Sequence, residues 1–290
     1  MAFWSRGRAK FLAALVLVPG LLIVLLRWFE QSQVYHPSRR TGDAAGSLGR
    51  PWTDAAFRSR DGVALHGWFF PAVAHSPRRD WVVLHCHGNA GNVSHRLGVV
   101  GALLESGVNV FVFDYRGYGR SDGRPSEEGT YLDGQAAYGW LRQRGFAARR
   151  IVVWGESLGG GVAAELACRE EVGALVLQST FTSVPDLGAE LFPFLPVRWL
   201  ARIRYDTLSK LPAVHCPVLV MHSPEDTLIP VAHARRNFAA ANEPRQWTEL
   251  AGDHNDFLEA GRAQWVKGWE AFLGRLEDPA SPGPDAVAPR

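Results

Sequence analysis

A serine between glycines is the feature of this 290-residue sequence that points most directly to chemistry. Ser157 is the centre of GESLG at positions 155–159, after the β-branched run 151–154 and before a stretch of small residues. Glycines on both sides of a serine permit a tight turn from strand to helix, and such a turn projects the hydroxyl above a sheet. The pattern predicts that Ser157 is a nucleophile in acyl transfer.

The same five-residue pattern occurs a second time, as GRSDG at positions 119–123. Ser121 of this match is followed by a loop that contains proline and glycine and no helix start. Since a nucleophile turn requires a strand before it and a helix after it, the context favours Ser157 over Ser121.

A histidine must take the proton of such a serine, because a hydroxyl is a weak nucleophile at neutral pH. His254 is the predicted base, because it follows a plausible strand at 245–250, from which a loop can return to the top of the sheet. Its position late in the chain, after a strand, makes it a better candidate for the base than His215, His222 or His233.

A carboxylate must in turn orient the imidazole. Asp226 is the predicted acid, because it follows the apolar strand 217–221 and precedes a proline that opens a helix. Glu225 is an alternative because it is also a carboxylate, and Asp206 is an alternative because of its place in the chain order. Asp253 and Asp256 are less favoured, because they lie too close in sequence to the histidine.

Acyl transfer also needs hydrogen-bond donors for the oxyanion of the tetrahedral intermediate. The backbone N–H of Leu158 is one predicted donor, because it follows the nucleophile at a helix start, where N–H groups have no partner within the helix. The backbone N–H of Asn89 is the other, in the loop CHGNAGN at 86–92. No metal-ligand pattern accompanies these residues, so we expect neither a metal nor a cofactor.

The elements that must position these residues are also visible in the sequence. Short apolar runs bounded by turn residues occur at 63–70, 81–85, 108–113, 151–154, 174–177 and 218–221. Helix-compatible stretches lie between and after them, at 93–106, 129–144, 158–170, 233–241 and 263–276. The alternation predicts an α/β fold with a mostly parallel central sheet flanked by helices.

One stretch, 181–211, interrupts the alternation with the sequence FPFLPVRW. We predict that it is a short lid-like insertion over an acyl pocket, with ordinary packing as the alternative. The globular domain then covers 52–276, after a linker at 31–51. The proline-rich residues 277–290 are expected to form a disordered tail.

The N-terminal run 11–26 contains no charged or polar side chain, and Trp4 and Trp28 bracket it. Its length is close to the roughly 20 residues of a membrane span. No small-residue cleavage site follows, so we predict a retained single-pass anchor at 1–30 rather than a cleaved signal peptide or a buried core helix. The basic residues before the run favour a cytosolic N-terminus and a domain on the extracytoplasmic side.

The composition disfavours two other classes of protein. Hydrophobic residues make up 47% of the chain and charged residues 21%, which disfavours global disorder. The 31 basic and 29 acidic side chains leave a net charge of +2, so a nucleic-acid partner is not expected.

Five segments together resemble the α/β-hydrolase superfamily and, within it, the Bem46/ABHD13-like serine hydrolases. They are CHGNAGN (86–92), DYRGYGRSDG (114–123), GESLGGG (155–161), the segment around Asp226, and GDHNDF (252–257). The resemblance implies an α/β-hydrolase fold, with Ser157 as nucleophile, Asp226 as acid and His254 as base. An N-terminal membrane anchor is typical of the same group.

The sequence therefore predicts a serine hydrolase that cleaves carboxylic ester or thioester bonds through an acyl-enzyme. We expect a small-molecule or lipid-like ester as substrate, close to a membrane. Two alternatives stay open: a membrane-tethered interaction protein without activity on the same fold, and an acyltransferase whose acceptor is not water. The sequence does not identify substrate-binding residues.

Overall fold

The computed structural model describes residues 2–41 and 44–278. The chain divides into two units, Met1–His36 and Pro37–Arg290. Residues 42–43 of the predicted linker and residues 279–290 of the predicted tail lie outside the described residues.

The first unit consists mainly of one helix, α1 (Ala2–Val34). No helix in the described part of the chain combines the length and the apolarity needed to cross a bilayer. This finding contradicts the predicted single-pass anchor at 1–30 and the extracytoplasmic placement that depended on it. The uncharged run at 11–26 is shorter than the roughly 20 apolar residues of a span, and Arg27 and Glu30 follow it closely.

The second unit is built on an eight-stranded sheet. Its strands are β1 (Thr53–Arg58), β2 (Ala64–Phe70), β3 (Val82–Cys86), β4 (Asn109–Asp114), β5 (Ile151–Glu156), β6 (Ala174–Gln178), β7 (Val218–His222) and β8 (Arg245–Glu249). Their order across the sheet is β1-β2-β4-β3-β5-β6-β7-β8. The pairs β1/β2 and β2/β4 are antiparallel, and all others are parallel. Two strands of two residues, His36–Pro37 and Ala90–Gly91, lie outside this sheet.

Helices connect the parallel strands, so the predicted mostly parallel sheet with flanking helices is confirmed. The connecting and C-terminal helices are α2 (Leu97–Glu105), α3 (Glu127–Gln143), α4 (Leu158–Arg169), α8 (Val231–Ala240) and α9 (Phe257–Glu277). The insertion between β6 and β7 holds three short helices, α5 (Val184–Leu191), α6 (Val197–Leu200) and α7 (Thr207–Lys210).

Burial explains why most strands, but not β1, were visible in the sequence. Every residue of β3 to β7 is buried, which gives the continuous apolar runs of strands covered on both faces. Strand β1 was missed because it lies at the edge of the sheet. Four of its six residues are exposed, and Asp54 and Arg58 interrupt its apolar pattern.

Three tryptophans fix α9 against the centre of the sheet. The ring of Trp154 on β5 lies 5.2 Å from that of Trp265 and 5.3 Å from that of Trp269, both on α9. The indole N–H of Trp265 donates to Gln178 Oε1 at 3.0 Å, and that of Trp269 donates to Ser106 Oγ at 3.0 Å. The indole N–H groups of the two buried rings therefore have hydrogen-bond partners, and the rings fix α9, the helix that follows the loop with His254.

Candidate active site

Ser157 occupies the turn between β5 and α4 in a conformation that non-glycine residues seldom adopt. Its φ is 52° and its ψ is −117°. The Ser157 N–H donates to the carbonyl oxygen of Gln178 at 2.9 Å. The Ser157 carbonyl accepts from Gly160 N–H at 3.0 Å and from Thr180 Oγ1 at 2.6 Å. These hydrogen bonds hold the serine at the carboxyl edge of the sheet.

Gly155 and Gly159 are required by the close approach of backbone segments. A Cβ on Gly155 would lie 2.5 Å from the carbonyl oxygen of Gly159, and a Cβ on Gly159 would overlap the carbonyl oxygen of Cys86. Both obstacles are backbone atoms, so no side-chain rotation can relieve them. The two glycines therefore allow β3, β5 and α4 to meet at the serine.

His254 and Asp226 form a hydrogen-bonded line with Ser157. His254 Nε2 lies 3.1 Å from Ser157 Oγ, and His254 Nδ1 lies 2.8 Å from Asp226 Oδ2. Because the carboxylate accepts the proton on Nδ1, the lone pair of Nε2 faces the serine hydroxyl. The three predicted residues thus lie together, although 97 positions separate the serine from the histidine.

Asp226 is oriented by the loop that follows β7. Its Oδ1 accepts from the N–H groups of Leu228 at 3.0 Å and Ile229 at 2.8 Å. His222, at the end of β7, lies 3.4 Å from Asp226 Oδ2 and donates from Nε2 to the Ile229 carbonyl at 2.8 Å. Burial lowers the pKa of His222, so this imidazole stays neutral. The contacts use both carboxylate oxygens and fix the orientation of Asp226.

Two of the alternative acids instead tie the Asp226 loop to the His254 loop. Glu225 Oε2 accepts from Gly252 N–H at 3.0 Å. Asp253 Oδ1 accepts from the N–H groups of Thr227 at 2.8 Å and of His254 at 2.7 Å. These two amides lower the pKa of the exposed Asp253 carboxyl, which keeps it anionic. Glu225 and Asp253, next to Asp226 and His254 in the sequence, therefore stabilise the loops that carry these two residues.

The two predicted oxyanion donors lie on backbone segments next to Ser157. Leu158 is the first residue of α4. Asn89 follows Gly88, where an added Cβ would lie 3.5 Å from Ser157 Cβ. The loop after β3 and the start of α4 thus flank Ser157, as an oxyanion hole requires.

Two tyrosines of the DYRGYGRSDG segment hold the loop that carries Asn89. Tyr115 Oη donates to the His87 carbonyl at 3.0 Å, and Tyr118 Oη donates to the Asn89 carbonyl at 2.7 Å. Burial lowers the pKa of His87 to about 3, so its ring is neutral and donates from Nδ1 to the Gly88 carbonyl at 2.7 Å. This segment supports the loop beside the serine.

Glu156, the residue before Ser157, is a buried carboxylate with two partners. Arg96 Nη1 lies 3.2 Å from Glu156 Oε1, and His85 Nε2 lies 3.6 Å from Oε2. Desolvation raises the pKa of this carboxyl, but the charge of Arg96 and the contact with His85 outweigh it and bring the pKa to about 2. Glu156 and Arg96 also line a cavity of about 210 Å³ that reaches Asn255, the residue after His254.

Ser121, the alternative serine, and Asp206, an alternative acid, make hydrogen bonds outside the line formed by Ser157, His254 and Asp226. Ser121 is buried, donates from Oγ to the Asp114 carbonyl at 2.7 Å and accepts from His66 N–H at 2.9 Å. Asp206 accepts from Ser209 N–H at 3.1 Å and so caps α7.

Comparison with known proteins identifies the family. Residues 82–209 match the family described as the alpha/beta hydrolase fold. An uncharacterised protein of Mycobacterium tuberculosis is 38% identical over 255 residues, which cover 87% of this chain and 90% of the relative. The alpha/beta hydrolase domain-containing protein WAV2 of Arabidopsis thaliana is 33% identical over 270 residues, which cover 84% of this chain and 87% of the relative. The chain belongs to the α/β-hydrolase family.

The predicted resemblance is confirmed by a further relative of this α/β hydrolase. Protein bem46 of Schizosaccharomyces pombe is 34% identical to it over 185 residues, or 60% of each chain. Among solved structures, an esterase of Pyrococcus furiosus shares the fold with a TM-score of 0.70 at 23% identity. That match covers 83% of this chain and 98% of the esterase.

Sequence reasoning missed the residues of this α/β hydrolase that support the site. They are Arg96, Tyr115, Tyr118, Glu156 and Thr180. Tyr115, Tyr118 and Glu156 lie inside quoted motifs, so their position was the available signal. Arg96 and Thr180 gave no such signal, because their contacts with the site arise only when distant segments pack together.

Gly159→Ala should destabilise this α/β hydrolase strongly, by about 3 kcal/mol, because the new Cβ overlaps backbone that cannot move aside. Gly139→Ala on α3 is the matched control. A Cβ there meets no atom within 4 Å, and the better helix former should add about 1 kcal/mol of stability. Urea unfolding of both variants measures the difference. Equal effects of the two substitutions would contradict the packing argument.

The depressed pKa of Glu156 predicts a pH-dependent stability. The folded carboxyl titrates near 2 and the unfolded one near 4.5, so the unfolded state binds more protons between these values. Glu156 therefore stabilises the fold fully above the unfolded pKa, and this contribution is lost as the pH falls towards the folded pKa. Glu156→Gln should cost on the order of 3 kcal/mol at neutral pH and less in acid.

Urea unfolding at neutral pH and at about pH 3.5 tests this sign. Glu259→Gln, at an exposed position of α9 on the same cavity, is the control and should change stability little at either pH. A cost for Glu156→Gln that is the same at both pH values would show that the ion pair does not set the stability of this region.

Proposed function

We propose that this protein is a serine hydrolase that cleaves carboxylic ester or thioester bonds through an acyl-enzyme. The observation that carries the proposal is the line of two hydrogen bonds, 3.1 Å from Ser157 Oγ to His254 Nε2 and 2.8 Å from His254 Nδ1 to Asp226 Oδ2. This arrangement activates a hydroxyl as a nucleophile. Membership of the α/β-hydrolase family and a fold shared with an esterase support the reaction class.

In the acylation half of the reaction, Ser157 Oγ attacks the acyl carbonyl carbon while His254 Nε2 takes the hydroxyl proton. Asp226 keeps the proton of the imidazole on Nδ1 and stabilises the imidazolium that forms. The backbone N–H groups of Asn89 and Leu158 stabilise the oxyanion. The tetrahedral intermediate then collapses, Nε2 protonates the departing alcohol or thiol, and the acyl group remains on Ser157.

In the deacylation half, water takes the place of the departed group. His254 Nε2 accepts a proton from that water as its oxygen attacks the acyl carbonyl, and the same amides stabilise the second oxyanion. Collapse of this intermediate returns the proton to Ser157 Oγ and releases the carboxylic acid. The sequence of steps uses this chain's own side chains and amides.

We propose a lipid-like or acylated substrate. The insertion that holds α5 to α7 begins after β6, at the same edge of the sheet as Ser157. It carries large apolar side chains, among them Phe194 and Leu195. Apolar side chains on an insertion that starts at the same sheet edge as Ser157 suit an acyl chain better than a charged group.

Hydrolysis of short-chain p-nitrophenyl esters tests the proposed function. Ser157→Ala should lower kcat by at least about 10⁴-fold, because the nucleophile is lost. Ser121→Ala, the same change in the second GxSxG match, is the matched control and should retain most of the activity, because Ser121 is a buried packing residue. If Ser157→Ala keeps wild-type turnover, or if the folded parent enzyme cleaves no ester of the series, the proposal fails.

A further inference from the structure

The loop that follows β3 ends at an asparagine whose side chain binds a distant segment of the chain. Asn92 is fully buried at the end of this loop, residues 86–92. Its Nδ2 donates to the Ser38 carbonyl at 3.1 Å and to the Arg40 carbonyl at 2.8 Å. Because 54 positions separate Asn92 from Ser38, this amide joins the loop to a segment far away in sequence. We call residues 38–40 the strap.

The strap makes further hydrogen bonds with its backbone and with one arginine. Ser38 N–H donates to the Gly91 carbonyl, inside the loop, at 2.9 Å. The other contacts are with the DYRGYGRSDG segment. Gly119 N–H donates to the Ser38 carbonyl at 2.8 Å, and Arg39 Nη1 donates to the Ser121 carbonyl at 2.6 Å. The DYRGYGRSDG segment therefore holds the strap, and the strap in turn binds the loop.

Three consecutive carbonyls of the loop each accept a hydrogen bond from a different part of the chain. The Asn89 carbonyl accepts from Tyr118 Oη at 2.7 Å, and the Ala90 carbonyl accepts from Arg96 Nη2 at 2.5 Å. The Gly91 carbonyl accepts from the strap. The position of the loop therefore depends on these partners. An oxyanion donor must be held within about 0.5 Å of its productive position, so the same partners bear on the Asn89 N–H.

We propose that Asn92 is a positioning residue for the oxyanion hole, because its amide fixes the loop that carries Asn89 to the strap. The inference rests on the proposed function, in which the Asn89 N–H stabilises an oxyanion beside Ser157. Asn92 acts through the loop and not on the substrate. A misplacement of roughly 1 Å in a catalytic group can cost about 100-fold in rate. Since the charge on the oxygen develops only in the transition state, loss of the amide should lower kcat and leave KM nearly unchanged.

The amide of Asn92 can be separated from a second role of the same side chain. Asn92 Oδ1 accepts from Ser94 N–H at 2.9 Å and so caps the short 3₁₀ helix Val93–Arg96. An aspartate caps a helix about as well, but it offers no N–H to the strap. Asn92→Asp therefore keeps the cap and places an oxygen against the carbonyls of Ser38 and Arg40. Asn92→Ala removes the amide without adding a charge.

Asn109 provides a matched control at the opposite edge of the sheet. It is buried and is the first residue of β4. Because β4 and β5 both run parallel to β3, the start of β4 lies at the edge away from the candidate active site. Asn109 Nδ2 donates to the Arg79 and Trp81 carbonyls, both at 2.7 Å, and its Oδ1 accepts from Ala72 N–H at 2.9 Å. Asn109→Asp breaks hydrogen bonds of the same kind as Asn92→Asp, so it controls for the loss of stability.

Hydrolysis of short-chain p-nitrophenyl esters by the full-length protein tests the proposal, at a temperature below the unfolding midpoint of every variant. Asn92→Asp and Asn92→Ala should each lower kcat by at least about tenfold and change KM by less than about twofold. Asn109→Asp should keep kcat within about twofold of the parent. Wild-type kcat in both Asn92 variants, or an equal fall of kcat in Asn109→Asp, would overturn the proposal.

Hydrogen–deuterium exchange of the same proteins tests the positioning itself and does not need turnover. In Asn92→Ala, peptides within 86–92 should exchange at least about fivefold faster than in the parent, since the loop loses its attachment to the strap. Asn109→Asp should leave these peptides unchanged. Unchanged exchange of 86–92 in Asn92→Ala would overturn the proposal, even with an active parent. A parent that cleaves no ester would contradict the proposed function and with it the oxyanion hole, whereas faster exchange would still show that Asn92 fixes the loop.

Discussion

At Ser157 the chain must leave a buried strand and enter a helix within one residue, at a φ of 52°. Such a conformation costs roughly 1–3 kcal/mol for a residue with a side chain. The surrounding structure offsets this cost. Gln178 and Thr180 bind the serine backbone, and the glycines at 155 and 159 let three backbone segments come into contact. The other parts of the site are arranged around this fixed hydroxyl.

Asp226 and His254 reach Ser157 because neighbouring parallel strands end at the same edge of the sheet. In the pairing of β7 with β8, His222 lies opposite Glu249, so the loops with Asp226 and His254 leave the sheet side by side. Glu225 and Asp253 bind the amides of the facing loop and tie the two loops together. The tryptophans on α9 hold the helix that follows the His254 loop against β5. The geometry of the hydrogen-bonded line is thus a product of strand order, loop contacts and core packing.

The sequence was informative at positions where a single physical constraint permits only one kind of residue. No other residue type can replace the glycines around Ser157, because backbone atoms touch them. The buried strands β3 to β7 appear in the sequence as continuous apolar runs. The fold and the three residues of the hydrogen-bonded line could therefore be predicted. Edge strand β1 could not be predicted, because its mostly exposed residues do not form a continuous apolar run. The roles of Thr180 and Arg96 depend on tertiary contacts between segments far apart in the chain, which a single sequence does not display. The prediction of a membrane anchor at 1–30 was wrong. The uncharged run at 11–26 is shorter than the roughly 20 apolar residues of a membrane span.

We propose that His254 and Asp226 make the Ser157 hydroxyl a nucleophile. Mass spectrometry after exposure of the full-length protein to a fluorophosphonate tests it most directly, because this reagent forms a covalent bond with an activated serine. We expect one adduct per chain, on the peptide that contains Ser157, and a much slower reaction in His254→Gln. An adduct on another serine, or no adduct on a folded protein, would contradict it.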